Sequence, residues 1–404
     1  MKGSLSLVEH FSCIPDPRST RTRRHKLQDV LAIATCAMLC GAETFVEMEE
    51  FARCKEAWLR ERLELPGGIP SHDTFNRIFA RMDPTAYHEC FLGWIEALQE
   101  DLRAQQQTGE QDGELNEQII ALDGKTLRRS FDRASQKSAL HMVSAWSSVN
   151  SLTLGQRKVD GKSNEITAIP ALLHLLDLRG CIVTIDAMGC QKEIARRIVE
   201  QQGDYVLGLK GNQPTLHQNV ERFFLEEENR QFKDQPNEYY ETTEKDHGRI
   251  EKRRYRLVEL STTIAAELPK EAVKVARWWD PDEEWTGLHA IGMVESSREI
   301  NGKASIQKRY FITSLKGGVK RFAQAQRGHW GIENRVHWLL DVAYAEDQCR
   351  VRVGNAPENL STLRKMTLNL LKQETTRKVG IKVKRNKAGW DDRYLSLVLA
   401  GPTI

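Results

Sequence analysis

Two short apolar runs, IIAL ending at Leu122 and CIVTI ending at Ile185, are each followed directly by an aspartate, Asp123 and Asp186. Apolar runs of this length between turn signals read as buried strands. Charge is excluded from such strands and tolerated only where they end. Around them, EQIIALDG, HMVSAWSSVN and SLTLGQRKV read as three strands, and NEITAIPALLHLLDL has helical spacing. CIVTIDAMG is a fourth strand, QKEIARRIVEQQG a helix closed by Gly203, and DYVLGLK a fifth strand. Three strands, helix, strand, helix, strand specify an α/β sheet of mixed direction.

Catalytic and ligand-binding groups collect at strand ends in such sheets. If the first and fourth strands are neighbours, both carboxylates project from one edge. Two carboxylates held close repel unless a cation lies between them, and hard divalent ions such as Mg²⁺ take oxygen donors of this kind. Plainer readings stand beside this one. Asp123–Gly124 is a hairpin turn signal, and Asp186 can bond the turn that follows it.

A third acid stands in QRGHWGIENRVHWLLDVAYAEDQ. The pattern predicts a long helix from near Val319 to about Ala345, with Ile332, Val336, Leu339 and Ala343 as one apolar stripe. Glu333 lies at the edge of that stripe, which suits a third metal ligand. A solvated helix glutamate is the alternative, and Asp341, Glu346 and Asp347 are nearby competitors. His329, Glu333 and His337 share a face, but their spacing is not the H-E-x-x-H of zinc hydrolases.

Outside this core the chain divides further. Residues 1–104 read as a helical N-terminal domain, with Ser71 as the N-cap of HDTFNRIFARM, and 105–117 as a Gln/Glu/Gly-rich linker. The core would run over 118–227, then a β-rich insertion over 228–317 containing RIEKRRYRLVEL, AVKVARWW, GLHAIGMVESSREI and QKRYFITSL. The core helix falls in 318–350, and 351–404 form a basic C-terminal region.

A net charge of +3 over 404 residues decides nothing about partners, so the clustering of cations matters more. Clusters occur at Arg18, Arg21, Arg23, Arg24 and Lys26; at Lys125, Arg128 and Arg129; at Arg249, Lys252, Arg253 and Arg254; and at Lys378, Lys382, Lys384, Arg385 and Lys387. Each is either a solvated face or a set of phosphate contacts. The helix carrying Asn76, Arg77 and Arg81 reads as a recognition helix or as a packing helix. The eight cysteines include no C-x-x-C pair and read as reduced thiols. The N-terminus lacks a signal-peptide pattern. The most apolar stretch is about a dozen residues, short of the ~20 that span a bilayer. A soluble cytoplasmic protein is expected, with no membrane partner.

The stretches DPRSTRTRRHKLQDVLAIATCAMLCGA, GIPSHDTFNRIF, ALDGKTLRRS, HMVSAW, EITAIPALL, VTIDAMGCQKEIA, YVLGLKGNQPTL, HGRIEKR and RGHWGIENRVHWLLDVAYAEDQCRVR occur in this order. In them the sequence resembles the DDE transposases of bacterial insertion sequences, and among those the H-repeat-associated group, over nearly the whole chain. The resemblance implies a ribonuclease H-like fold with a β-rich insertion before the final catalytic helix. It implies Asp123, Asp186 and Glu333 as the catalytic, metal-binding triad, with two Mg²⁺ or Mn²⁺ ions. The implied activity is metal-dependent strand cleavage at insertion-sequence ends and strand transfer into target DNA. The implied partners are the terminal inverted repeats and target DNA, bound as a dimer at the bacterial nucleoid. Alternatives are an inactive or regulatory DNA-binding relative and a host nuclease of the same fold.

One departure is clear. Related transposases carry Tyr, Arg and Lys around the glutamate, where this chain has Gln326, His329 and Leu340. Arg327, His329, Asn334 and His337 are candidate substitutes in holding DNA. With them as expected DNA contacts go Arg21, Arg23, Arg24, Lys125, Arg128, Arg129, Lys210, Arg249 and Arg253. Trp285, in the insertion, is a candidate to stack on a flipped base.

Overall fold

The computed structural model describes residues 7–107, 117–131, 138–159, 165–233, 235–246, 249–260, 285–300 and 303–400. The apolar runs form strands β1 (Ile119–Leu127), β2 (Leu140–Ser147), β3 (Thr153–Val159), β4 (Ile182–Ile185) and β5 (Asp204–Leu209). Four more follow: β6 (Glu238–Asp246), β7 (Arg249–Glu259), β8 (Ala290–Ile300) and β9 (Lys303–Thr313). All nine make one sheet in the order β3-β2-β1-β4-β5-β9-β8-β7-β6. β1, β4 and β5 are parallel neighbours, and every other pairing is antiparallel. The strands of the inserted segment thus prolong the sheet, joined to it through β5 and β9. The run AVKVARWW, read from sequence as a strand, lies outside the described residues.

β6 escaped the sequence reading, and its composition explains why. EYYETTEKD has no apolar alternation, and it is an edge strand that pairs only with β7. Charged edges of this kind discourage further pairing.

The helices are α1 (Leu7–His10), α2 (Leu27–Leu39), α3 (Phe45–Cys54), α4 (Glu56–Arg60), α5 (His72–Arg81) and α6 (Pro84–Gln107) before the sheet. Within it lie α7 (Glu165–Leu173), α8 (Lys192–Glu200) and α9 (Pro214–Asn229). After it come α10 (Gly318–Ile332), a π-helical turn (Glu333–His337), α11 (Trp338–Tyr344), α12 (Ala356–Gln373), α13 (Ile381–Trp390) and α14 (Asp392–Ala400). Among the described residues no helix is long and apolar enough to cross a membrane. Side chains alternate across a strand. Ile120, Leu122, Val183 and Ile185 therefore meet Ile169, Leu172 and Ile194 of α7 and α8 on one face. Ile182 and Val206 meet Val319, Phe322 and Ala323 of α10 on the other.

The hub of the molecule is α12, whose polar residues are buried along with its apolar ones. Its apolar stripe of Ala356, Leu360, Leu363, Met366 and Leu370 has helical spacing, yet the polar residues around it are buried too. Several of these polar groups join α12 to other elements. Asn359 Nδ2 donates to the carbonyls of Phe79 in α5 and Met82 just after it, at 2.8 and 3.0 Å. Asn369 clasps the backbone of Thr153 in β3 from both sides, at 2.9 Å each. Lys365 Nζ donates to Gln156 Oε1 at 2.5 Å.

Beside it lies Glu346, 1% exposed, with Lys125 Nζ at 3.0 Å and Arg364 Nη1 at 3.8 Å. Burial pushes the Glu346 carboxyl up. The charges of Lys365, Lys125 and Arg364 prevail and hold it down at about 2. Burial lowers Lys365 to about 8 against the pull of Glu346.

The basic tail is only partly a solvated face. Lys384 and Arg385 are buried. Arg385 donates to the carbonyls of Met38 and Ala42 at the end of α2, at 2.9 and 3.3 Å, and to that of Ala343 near the end of α11. It satisfies carbonyls that helix ends leave without partners. Lys384 donates to the carbonyls of Leu371, at 3.0 Å, and Glu374. Trp285 is 4% exposed and packs in the main core, so it is not presented for stacking on a base.

Replacing Glu346 by Gln should cost about 3–5 kcal/mol in urea unfolding, because the buried Arg364 and Lys365 lose their counter-charge while Lys125 keeps only Asp341. The folded carboxyl titrates near 2, below its unfolded value of about 4.3. Its stabilisation is therefore complete above about pH 4.3 and is lost as pH falls toward 2. That part of the acid dependence should be absent from the variant.

Candidate active site

Strand register decides where the first two acids go. The parallel ladder between β1 and β4 ends at Leu122–Ile185. Asp123 and Asp186 are one step further on, abreast, where the two strands part. β1 continues against β2, pairing Asp123 with Ser144 and Gly124 with Val143. Asp123–Gly124 is thus mid-strand, not a hairpin turn. β4 instead turns away through a 3₁₀ turn over Ala187–Gly189, and Asp186 Oδ1 accepts from the Met188 N–H at 3.1 Å. Asp186 therefore bonds its own turn as well as standing beside Asp123. Alternation puts both aspartates on the face that α10 covers, the face of Ile119 and Ile182.

The approach of α10 to that face depends on glycine. A side chain at Gly331 would collide with the Trp146 ring of β2, and one at Gly328 would lie 2.8 Å from Ile119 Cδ1. With both positions bare, the helix settles onto β1 and β2. Its last turn widens into the π-helical stretch that begins at Glu333. A π-turn inserts an extra residue per turn and is frequent at functional sites. Past it the inward positions shift by one. Leu340 is fully buried, whereas the 3.6-residue stripe expected Leu339 there. The widened turn aims His337 at the sheet, with Nδ1 3.4 Å from Asp123 Oδ2.

A cavity of about 340 Å³ is lined by Asp123, Asp186 and Glu333 together, with His329, Lys210 and Trp330. Glu333 is exposed on its wall. Burial pushes Asp186 up, and the neighbouring charges of Asp123 and Glu165 push it further. Burial also acts to raise Asp123. The His337 hydrogen bond, the two histidines and the Gly124 N–H outweigh it and hold the carboxyl below its usual range. His329 Nδ1 lies 3.1 Å from Thr184 Oγ1. Burial depresses its pKa despite the acids around it, which keeps the ring neutral at pH 7.

Among the described residues, no three His, Cys, Asp or Glu side chains stand close enough to hold a metal ion jointly. The donor set nonetheless suits a hard divalent cation. Two neighbouring carboxylates face one cavity with a third. That third, Glu333, makes no hydrogen bond or ion pair among the described residues. His329 and His337 are engaged with Thr184 and Asp123 and do not form a zinc site with Glu333.

The expected DNA contacts fall into two groups. Lys210 and His329 line the cavity, His337 touches Asp123, and Asn334 is exposed next to Glu333. The others are elsewhere or already neutralised. Lys125 is committed to Asp341 at 2.5 Å and to Glu346. Arg253 is buried between Glu244 and Glu251, at 3.0 and 2.7 Å. Arg327 pairs with Glu244 at 2.9 Å, and Arg128 with Asp347 at 3.2 Å. The carbonyl of half-buried Arg129 accepts from Arg352 at 3.1 Å. Arg21 and Arg24 are exposed near the N-terminus, where Arg23 lies 3.5 Å from Asp16. Arg249 opens β7, and its side chain lies outside the described part.

Two residues beside the site were not singled out from sequence. Glu165, at the start of α7, bonds His141 Nε2 at 2.6 Å, and His141 Nδ1 lies 2.8 Å from Thr126 Oγ1. A side chain at Gly124 would strike this pair, so the Gly after Asp123 makes room for it. An acidic residue in a first helical turn is ordinary, and Glu165 carried no other signal.

Comparison with known proteins follows the same segments. The family described as "Transposase DDE domain" matches residues 114–370, and "DDE_Tnp_1-associated" matches residues 8–95. The H repeat-associated putative transposase YhhI of Escherichia coli strain K12 is 40% identical over 400 residues, 98% of each chain. The putative transposase YncI of Escherichia coli O157:H7 is 40% identical over 398 residues, 98% of this chain and 94% of that one. Among solved structures, a piggyBac transposase synaptic complex with hairpin DNA overlaps at a TM-score of 0.39 and 9% identity, over 98% of this chain and 78% of that one.

Substituting Gly331 by Ala should lift α10 from β2, since Trp146 is buried and has no room to yield. The expected cost is about 1–3 kcal/mol, as for other overpacked positions, read as a lower urea midpoint. An unchanged midpoint would show that the helix is not seated on Trp146.

Proposed function

This chain belongs to the DDE transposases, DNA-cleaving enzymes that depend on divalent metal, and we propose that Asp123, Asp186 and Glu333 are the residues with which it cuts and rejoins DNA. The observation that supports the reading is that the three acids line one cavity. Asp123 and Asp186 come abreast where the β1–β4 ladder opens, and Glu333 faces the same cavity from the helix above. The proposed substrates are the terminal inverted repeats of an insertion sequence and a target duplex. The working assembly is a dimer on DNA at the nucleoid of a bacterial cytoplasm.

The three carboxylates would hold two Mg²⁺ or Mn²⁺ ions. When bound, such ions neutralise the phosphate and stabilise the attacking and leaving oxygens of an in-line displacement. The residues of the chain supply position. His337 orients Asp123 across 3.4 Å, and the Met188 N–H fixes one oxygen of Asp186 at 3.1 Å. Glu333 has no competing partner among the described residues and is free to turn toward the aspartates. His329 is neutral and half-buried in the cavity, placed to accept a proton near the reacting phosphate. No covalent protein intermediate is required, since positioning and charge neutralisation carry phosphoryl transfer.

Nicking of supercoiled plasmid in Mg²⁺ tests this. Asp123→Ala and Glu333→Gln should each lower the rate at least about a thousandfold, because a missing metal ligand forfeits several kcal/mol of charge stabilisation. EDTA should abolish nicking and Mn²⁺ restore it. Nicking that persists in Glu333→Gln would remove that residue from the triad. Joining of pre-cut ends to target DNA separates a transposase from a nuclease of this fold.

A further inference from the structure

The cavity lined by the three acids is also lined by two cations that have no acidic partner among the described residues. Arg309 is in β9 and Lys210 directly follows β5; both line the cavity. The antiparallel register pairs Leu209 with Tyr310, and its next step sets Lys210 beside Arg309. Arg309 is half-buried. Its guanidinium carbon lies 5.0 Å from the Trp330 ring centroid, and Nη2 donates to Gln307 Oε1 at 3.1 Å. Among the described residues, neither cation has a carboxylate within ion-pair distance. Lys308, next in β9, is different: Glu228 holds it at 2.6 Å and Glu295 at 3.8 Å.

An arginine that is half-buried, stacked on a tryptophan and left unpaired beside three carboxylates is held for an anion from outside. Stacking on Trp330 fixes the guanidinium plane and keeps it from collapsing onto the acids. We infer that Arg309 and Lys210 form a phosphodiester-binding subsite, which grips the DNA backbone beside the bond to be cut. This inference rests on the reading of the acids as the cleavage site. Arg309 thereby supplies, from β9, a fixed guanidinium that the helix bearing His329 lacks at that position.

The test is binding of a fluorescent duplex of arbitrary sequence and ~30 base pairs, with Ca²⁺ present to occupy the hard oxygen donors, across about 50–300 mM NaCl. A variant that grips one phosphate fewer has a slope of log K against log salt shallower by about 1. Arg309→Gln and Lys210→Gln should each lower the slope by about one unit, and the double variant by about two. Arg309→Lys should keep the slope, and so should Lys308→Gln. Lys210 is exposed, so its variant reports even if Arg309→Gln does not fold. Wild-type slopes in Lys210→Gln and Arg309→Gln overturn the inference. So does a fall in Lys308→Gln as large as theirs, or a wild-type chain that does not bind the duplex. Plasmid nicking by the same wild-type preparation separates the two claims. Nicking with unchanged slopes removes the subsite alone. Slopes that fall as expected, without any nicking, remove the cleavage reading and leave the subsite standing.

Discussion

Glu346, fully buried after α11, is the counter-charge around which three parts of the molecule close. Lys125 reaches it from β1, and Arg364 and Lys365 from α12. A buried charge is tolerable only when paired and hydrogen-bonded. The strand carrying Asp123, the segment after α11 and the central helix α12 are therefore coupled through one buried carboxylate. The polar groups of α12 extend this coupling to α5 and to β3 through Asn359 and Asn369. The helical N-terminal part is consequently bonded into the body that bears the site rather than hung from it.

From that frame the geometry of the acids follows. Parallel register brings Asp123 and Asp186 abreast, and the parting of β1 from β4 leaves their carboxylates facing a cavity rather than a neighbouring strand. Two bare glycines let α10 descend onto β1 and β2. The π-turn then gives the helix two faces at once: Glu333 toward the cavity and His337 toward Asp123. The site is a product of close approach, and each close approach is permitted by a missing side chain at Gly124, Gly328 or Gly331.

Charge is divided between structure and substrate in a way that clustering along the chain does not predict. Lys125, Arg253, Lys384 and Arg385 belong to basic runs, yet carboxylates or helix-end carbonyls inside the fold occupy them. Lys210 and Arg309 stand in less basic surroundings and remain available in the cavity.

Much of this is legible in the residues alone. The βββαβαβ order follows from apolar runs and turn signals, and the two aspartates stand out because buried strands reject charge. The family resemblance also holds over nearly the whole chain. The remainder was hidden for identifiable reasons. β6 is charged because it is an edge, and α12 is polar because its polar groups find partners inside. Leu339 yields its place to Leu340 because a π-turn breaks the 3.6-residue period. The sequence by itself determined which segments become strands and which acids end up among apolar neighbours, because those are local consequences of hydrophobic pattern. Only the tertiary structure decided which strands are neighbours, which cations are spent internally, and that Glu333, far along the chain, lines the same cavity as Asp123 and Asp186. Those depend on register, on glycine-permitted approach and on pairings between residues that have no local relation to one another.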